Sequence, residues 1–346
     1  MLKLILSFAP ALALIISVNA HKSSLFGTAK YQLVAGQLLA GREYYGDIDF
    51  DERAFQKLMA ERLPRNTTTL VVGSSRTMQL PHTCLEGTPY NASVSGAMLS
   101  DVAAILEQFR RGRDIRHVIL SAEPWMLSAH EQSAAWNAAP LVPNLIRIQA
   151  APDWIRAQLR LGLVPHTEDL VAAARATLEP LRALIDPSAF QTMLHSASAK
   201  PLAYFSPDTF RKLPEGDLSY PRTFHIATES AVRAIADEHL AKTYAGFDKI
   251  DPFLANAFEA LTKDLTANGT KVTLVLAPFH PVYYERVGAI LPMAEAYYRS
   301  LRLETIGTYN PAGLPSASDA FLDAVHLRKE SMIGVFGCPP EPYMLE

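Results

Sequence analysis

The chain has 346 residues, 49% of them hydrophobic and 19% charged. That is enough apolar material for one large or two ordinary folded domains, and it excludes a disordered chain. The 32 basic and 35 acidic side chains leave a net charge of -3, so the basic excess of a protein that tracks phosphate backbones is missing and nucleic acid is not an expected partner.

Residues 4–18 form an almost unbroken apolar run behind Lys3. A membrane-spanning helix needs about 20 such residues. The run has the length of a secretory h-region, and Val18-Asn19-Ala20 supplies a small-x-small cleavage pattern. Residues 1–22 are therefore expected to be a cleaved signal peptide or an uncleaved signal anchor, with a buried core helix as the plainer alternative. Either signal puts the rest of the chain outside the cytoplasm, periplasmic or secreted, held at the membrane if the segment is uncleaved.

Farther along, Thr69-Leu70-Val71-Val72 reads as a buried strand running into the turn Gly73-Ser74-Ser75. Helical spacing over 97–111 puts Met98, Val102, Ile105, Leu106 and Phe109 on one side, and Gly112 ends it. His117-Val118-Ile119-Leu120 is a second buried strand. Residues 231–267 are helical, broken near Gly246 and Pro252, and 271–277 make a third strand. A helix over 287–303, kinked at Pro292, leads into a loop-like stretch over 306–317 and a last helix from about His326. Strands alternating with helices predict a three-layer α/β/α domain around a parallel sheet of about five strands, assembled from 23–127 and 226–346. Residues 128–225 break the rhythm with no convincing strand. They read as a helical insertion after a strand's carboxyl end, suited to a lid or to a decorative or dimerising role.

Four segments carry chemistry. Gly73-Ser74-Ser75-Arg76 holds a serine at a strand end. Asn91-Ala92-Ser93-Val94-Ser95-Gly96 precedes a helix, where a glycine permits close backbone approach and an N–H group suits an anion. Ser121-Ala122-Glu123-Pro124-Trp125 ends another strand. In Asp323-Ala324-Val325-His326 the carboxylate is able to hold the imidazole's tautomer while the other ring nitrogen faces a serine.

In order and placement these segments resemble the SGNH (GDSL-type) hydrolase family, over about 69–125 and 231–327. The resemblance implies an SGNH or flavodoxin-like sheet, Ser75 as nucleophile, His326 as base, Asp323 as its orienter, and an oxyanion hole formed by the N–H groups of Ser75 and Gly96. It also marks Arg76, Asn91, Glu123, Trp125 and His280 as candidate pocket residues. The sequence departs from the family at two places. Ser74 replaces the usual Asp, and Glu123 stands where the third block normally contributes an Asn. An ionised carboxylate there would repel an oxyanion, unless Glu123 pairs with Arg76 instead.

The altered third block and Ala277-Pro278-Phe279-His280-Pro281 look like an extracytoplasmic subgroup similar to the teichoic-acid D-alanyl-transfer and alginate O-acetylation proteins. That likeness implies an esterase or O-acyltransferase acting on an acylated glycan or small acyl ester. The alternative is a catalytically weak binding or assembly partner of a membrane-bound acyltransferase or polysaccharide export machinery. Trp125, Trp136 and Trp154 suit sugar stacking as well as core packing. The ten histidines form no His-x-His or His-x-x-x-His pair and no phosphate loop is present, so neither metal nor cofactor is expected. Cys84 and Cys338 form one disulfide or none. Asn66, Asn91 and Asn268 begin Asn-x-Ser/Thr sequons.

Overall fold

The computed structural model describes residues 28–46, 52–128, 210–220, 228–314 and 317–339. The expected signal, most of the expected insertion, and Trp136 and Trp154 lie outside the described residues. The strands are β1 (Tyr44–Gly46), β2 (Thr69–Val72), β3 (Pro89–Asn91), β4 (His117–Ser121), β5 (Phe210–Lys212), β6 (Leu218–Ser219), β7 (Lys271–Leu276) and β8 (Glu304–Gly307). The helices are α1 (Thr28–Leu39), α2 (Glu52–Arg62), α3 (Leu99–Arg110), α4 (Glu229–Ala241), α5 (Pro252–Ala267), α6 (Pro281–Val287), α7 (Ile290–Ser300), α8 (Ala317–Ala320) and α9 (Lys329–Phe336).

Five strands form one sheet in the order β3-β2-β4-β7-β8, every pair parallel. The domain is a three-layer α/β/α fold. Side chains alternate across the sheet, as period two requires. Leu70, Val72, Val118, Leu120, Leu274 and Leu276 enter the larger core with Phe55, Phe109, Phe258 and Tyr298. Val71, Ile119 and Val275 point the other way and pack on Phe321, Leu327 and Met332. Each such fully buried side chain contributes about 1.5–3 kcal/mol relative to exposure. In sheet order the strands run second, first, third, fourth, fifth. The order reverses between β2 and β4, and ligands of open α/β sheets bind at the carboxyl edge of such a switch point.

Several elements differ from expectation for identifiable reasons. The helix expected over 287–303 is shorter, α7 over Ile290–Ser300, and the chain before it forms the separate helix α6, which ends at Gly288, whose φ is 67°. Pro292 lies in the first turn of α7, where a missing N–H leaves no bond broken, so it makes no kink. Strand β8 occupies the start of the stretch read as loop; it is short and half-exposed, so it lacks a buried strand's continuous apolar run. Strand β3 spans three residues, too few for periodicity to reveal. The last helix starts at Lys329, because Phe321 and Leu327 bridge antiparallel and close 321–327 into a loop. The insertion is also not free of strands. Its described part, 210–220, holds β5 and β6, which form a three-stranded antiparallel sheet with β1.

Cys84 and Cys338 are disulfide-bonded across a sequence separation of 254. The bond ties the turn at His82–Cys84 to the chain just beyond α9. A crosslink closing so long a loop removes much denatured-state entropy. The Cys84→Ser/Cys338→Ser variant should lose about 2–5 kcal/mol of unfolding free energy in urea titration. An unchanged midpoint would show that α9 is held by packing alone.

Candidate active site

The chemistry-bearing segments converge at the carboxyl ends of β2, β4 and β7. Strand β2 ends at Val72 because the neighbouring strand crowds the next position. A Cβ on Gly73 would lie 2.1 Å from the Cβ of Ser121, so only glycine lets the chain pass β4 there. Residues 74–78 form a tight turn, with Thr77 N–H donating to Ser74 O at 3.0 Å and Met78 N–H to Ser75 O at 3.3 Å. Ser74 is fully buried, whereas Ser75 reaches solvent.

Ser75 Oγ lies 2.8 Å from His326 Nε2. His326 Nδ1 lies 2.7 Å from Asp323 Oδ2. A carboxylate only accepts, so Nδ1 carries the proton and Nε2 is left to accept from the Ser75 hydroxyl. Asp323 Oδ1 also accepts the backbone N–H groups of Val325 and His326, each at 2.8 Å. Burial pushes the Asp323 carboxyl up. The nearby His326 ring, positive when protonated, and the bonds from that ring and from these two N–H groups outweigh burial, holding the carboxyl well below the usual range.

The Asp323–His326 loop is fixed from four sides. Leu322 N–H donates to His326 O at 2.8 Å, closing the loop on itself. His280 N–H donates to Ala324 O at 3.2 Å. Gln79 Nε2 donates to Leu327 O at 2.8 Å. Arg76 Nε donates to Val325 O at 3.1 Å, between the carboxylate and the imidazole.

Arg76 is 1% exposed and spends every guanidinium nitrogen inside the protein. Nη1 donates to Glu123 Oε2 at 2.6 Å. Nη2 donates to Pro278 O at 3.0 Å and also to Ala277 O. The cation sits 3.5 Å from the centre of the Phe279 ring. Glu123 is equally buried, and its Oε1 accepts the hydroxyls of Ser74 and Ser121. Arg76 and Glu123 thus pair, out of contact with solvent.

The candidate pocket residues therefore need correction. Arg76, Asn91, Glu123 and His280 are all at most 3% exposed and sit behind the site. Asn91 Nδ2 donates to Thr77 O at 2.8 Å while its Oδ1 accepts Ser93 N–H at 3.1 Å, locking the serine turn to the next loop. That burial also removes Asn91 as a glycan acceptor. His280 caps α6 through Nδ1, which accepts Val282 N–H at 3.3 Å. Burial lowers the affinity of its ring for a proton. Trp125 is half-buried, and its Nε1 donates to Ala97 O at 3.1 Å. Gly96 is exposed, with φ at 56°, a conformation that favours glycine. Among the described residues, the N–H groups of Ser75 and Gly96 meet no acceptor.

Three residues near the site carried no sequence signal: Gln79, His239 and Tyr220. Gln79 holds the end of the triad loop. His239 on α4 hydrogen-bonds Tyr283 Oη at 2.7 Å through Nδ1, and its ring feels the charges of Asp323 and His326. Burial raises the Tyr220 hydroxyl to about 12, the charges of Glu52 and Asp323 adding to the effect.

Among the described residues, one cluster elsewhere has metal-ligand chemistry. His82, Glu215 and Asp217 each offer a ligand atom within 4.8 Å of the others. Asp217 Oδ2 already takes the Lys329 ammonium at 2.6 Å, so the cluster is an internal ion-pair group. No protein-family model matches the chain, and no curated protein matches it.

Removing one partner of a buried ion pair leaves an uncompensated charge, so Glu123→Gln should destabilise by about 3–5 kcal/mol in chemical denaturation. A cost below about 1 kcal/mol for Glu123→Gln would contradict the pairing. The depressed Asp323 carboxyl stabilises the fold above its unfolded value of about 3.9, and that contribution drains as pH falls toward the folded value. The stability difference between wild type and Asp323→Asn should therefore be full above about pH 5 and shrink in acid. A difference independent of pH would rule out this linkage.

Proposed function

We propose that the chain is an extracytoplasmic serine esterase or O-acyltransferase acting on acyl esters of a cell-envelope or exported polysaccharide. The observation that carries this reading is the Ser75–His326–Asp323 relay, at 2.8 and 2.7 Å, on the carboxyl edge of the sheet. Ser75 Oγ attacks the ester carbonyl carbon, and its proton passes to His326 Nε2. The N–H groups of Ser75 and Gly96 receive the oxyanion. The tetrahedral intermediate collapses, the C–O bond to the alcohol breaks, and His326 returns its proton to the leaving oxygen. Water, or a sugar hydroxyl, then attacks the acyl-Ser75 ester by the same steps in reverse. The relay serves both acceptors equally. The Cys84–Cys338 bond supports an oxidising compartment, as does the apolar run at 4–18.

One observation favours the second reading, a catalytically weak binding or assembly partner. Position 123 supplies no amide to an oxyanion hole, since its carboxylate is committed to Arg76, Ser74 and Ser121. Lacking one donor typically costs about a hundredfold to a thousandfold in rate.

A fluorophosphonate probe separates the two. Wild type should label, Ser75→Ala should not, and His326→Ala should label much more slowly. Asp323→Asn should lose about a thousandfold to ten-thousandfold in kcat toward a chromogenic ester, the imidazole then holding the wrong tautomer. Folded wild type that never labels would favour the assembly reading.

A further inference from the structure

The Gly96 loop poses a problem of rigidity. Ser95 and Gly96 are exposed, so packing does not hold them. A Cβ at Gly96 would meet nothing within 4 Å, so crowding does not hold them either. A donor stabilises a developing charge only if it is already aimed before the charge forms.

Side chains do the aiming. Glu52, the first residue of α2, accepts the Ser95 N–H on Oε2 and the Ser95 hydroxyl on Oε1, the latter at 3.1 Å. Its neighbour Arg53 donates from Nη2 to Gly96 O at 3.5 Å. The same guanidinium grips Asp101 at 2.7 and 2.8 Å, and Asp101 accepts the Met98 N–H at 3.1 Å. Trp125 holds Ala97 O at 3.1 Å. The bonds on the Ser95 N–H and on the Gly96 carbonyl fix two peptide planes, and the plane carrying the Gly96 N–H lies between them. Glu52 sits there at a cost: burial pushes its carboxyl up, against the bonds from Ser95 and the charges of Lys212 and Arg53. A carboxylate near a prospective anion site is unfavourable unless it positions something, and the charges of Lys212 and Arg53 offset part of its own.

We propose that Glu52 and Arg53 are positioning residues that aim the Gly96 N–H as an anion-hole donor. The inference rests on the serine-esterase reading above and adds a helix to which that reading gave no role. Neither residue touches the reacting atoms; both act through the peptide planes around Gly96.

The test uses the purified full-length protein and variants with unchanged thermal midpoints. Glu52→Ala should speed hydrogen exchange of the Ser95 amide at least about tenfold, since its acceptor is gone. Both Glu52→Ala and Arg53→Ala should slow fluorophosphonate modification of Ser75 by about tenfold to a hundredfold, less than the loss of a whole donor. With a chromogenic ester kcat should fall while KM stays within about threefold, and Arg53→Lys, whose single ammonium cannot hold Asp101 and the Gly96 carbonyl from one fork, should recover only part of the rate. If alanine variants fold poorly, Glu52→Gln carries the same measurements with a smaller expected effect. Unchanged exchange would overturn the brace. Faster exchange with wild-type modification rates would overturn the positioning role while leaving Ser75 an activated nucleophile. Wild type that never labels would overturn the esterase reading, and this inference with it.

Discussion

The site hangs on one buried guanidinium. Arg76 follows the candidate nucleophile directly and reaches the ends of β4 and β7 and the loop carrying Asp323 and His326. These parts are far apart in sequence, the loop lying 249 residues from Arg76. A lysine at this position could not replace it. The ammonium is a point charge, whereas the guanidinium's fork spreads several donors in one plane and stacks on Phe279. Burying a charge this deeply costs several kcal/mol before pairing. Glu123 offsets that cost, and the hydroxyls of Ser74 and Ser121 satisfy the carboxylate oxygen that Arg76 leaves free. The pair is a poor source of net stability and a good source of geometry, because any shift of the loop breaks a bond that nothing else in a dry interior can replace.

The neighbouring tyrosines obey the same constraint. Tyr298 Oη donates to Glu123 O at 2.9 Å, and Tyr309 Oη donates to Ala122 O. Two backbone carbonyls just past β4 are thereby satisfied after the strand has stopped pairing. Burial pushes both hydroxyls well above the ordinary tyrosine value, so they remain neutral donors. The rigid base extends from Arg76 through the ends of the central strands to α7, while Ser75, Asp323 and His326 reach solvent at its top. The Gly96 loop, exposed and outside this base, needs its own fixtures from α2 and α3.

Much of this was legible in the chain because its signals are local. Strands β2, β4 and β7 are buried on both faces, so each reads as a continuous aliphatic run. Ser75, Asp323 and His326 stand in short motifs whose chemistry needs those residue types. Strands β3 and β8 were not legible: three residues carry no period, and a half-exposed edge carries no apolar run. Glu52 and Arg53 were invisible for a different reason. They lie 43 residues before the loop they hold, on a helix whose composition is that of any charged surface helix. Likewise the sequence marked Arg76, Asn91, Glu123 and His280 as chemically interesting but did not say which way they face. Facing depends on register and tertiary packing, and all four turned inward.

The two departures from the SGNH-like pattern then become one. Taken singly, Ser74 in place of Asp is a tolerable change and Glu123 in place of Asn a damaging one. In the structure they touch: the Ser74 hydroxyl donates to Glu123 Oε1 and accepts the Arg76 N–H at 3.1 Å. An aspartate at 74 would press a second carboxylate against Glu123 in a site where neither reaches water, while Arg76 is already paired to Glu123. A short neutral donor at 74 is what a carboxylate at 123 requires. The negative charge then stands at the end of β4, where the guanidinium holds it. Glu123 belongs to the buried group that fixes the Asp323–His326 loop, and the backbone N–H groups that the proposed esterase reading assigns to an oxyanion depend for their aim on the loops that carry them.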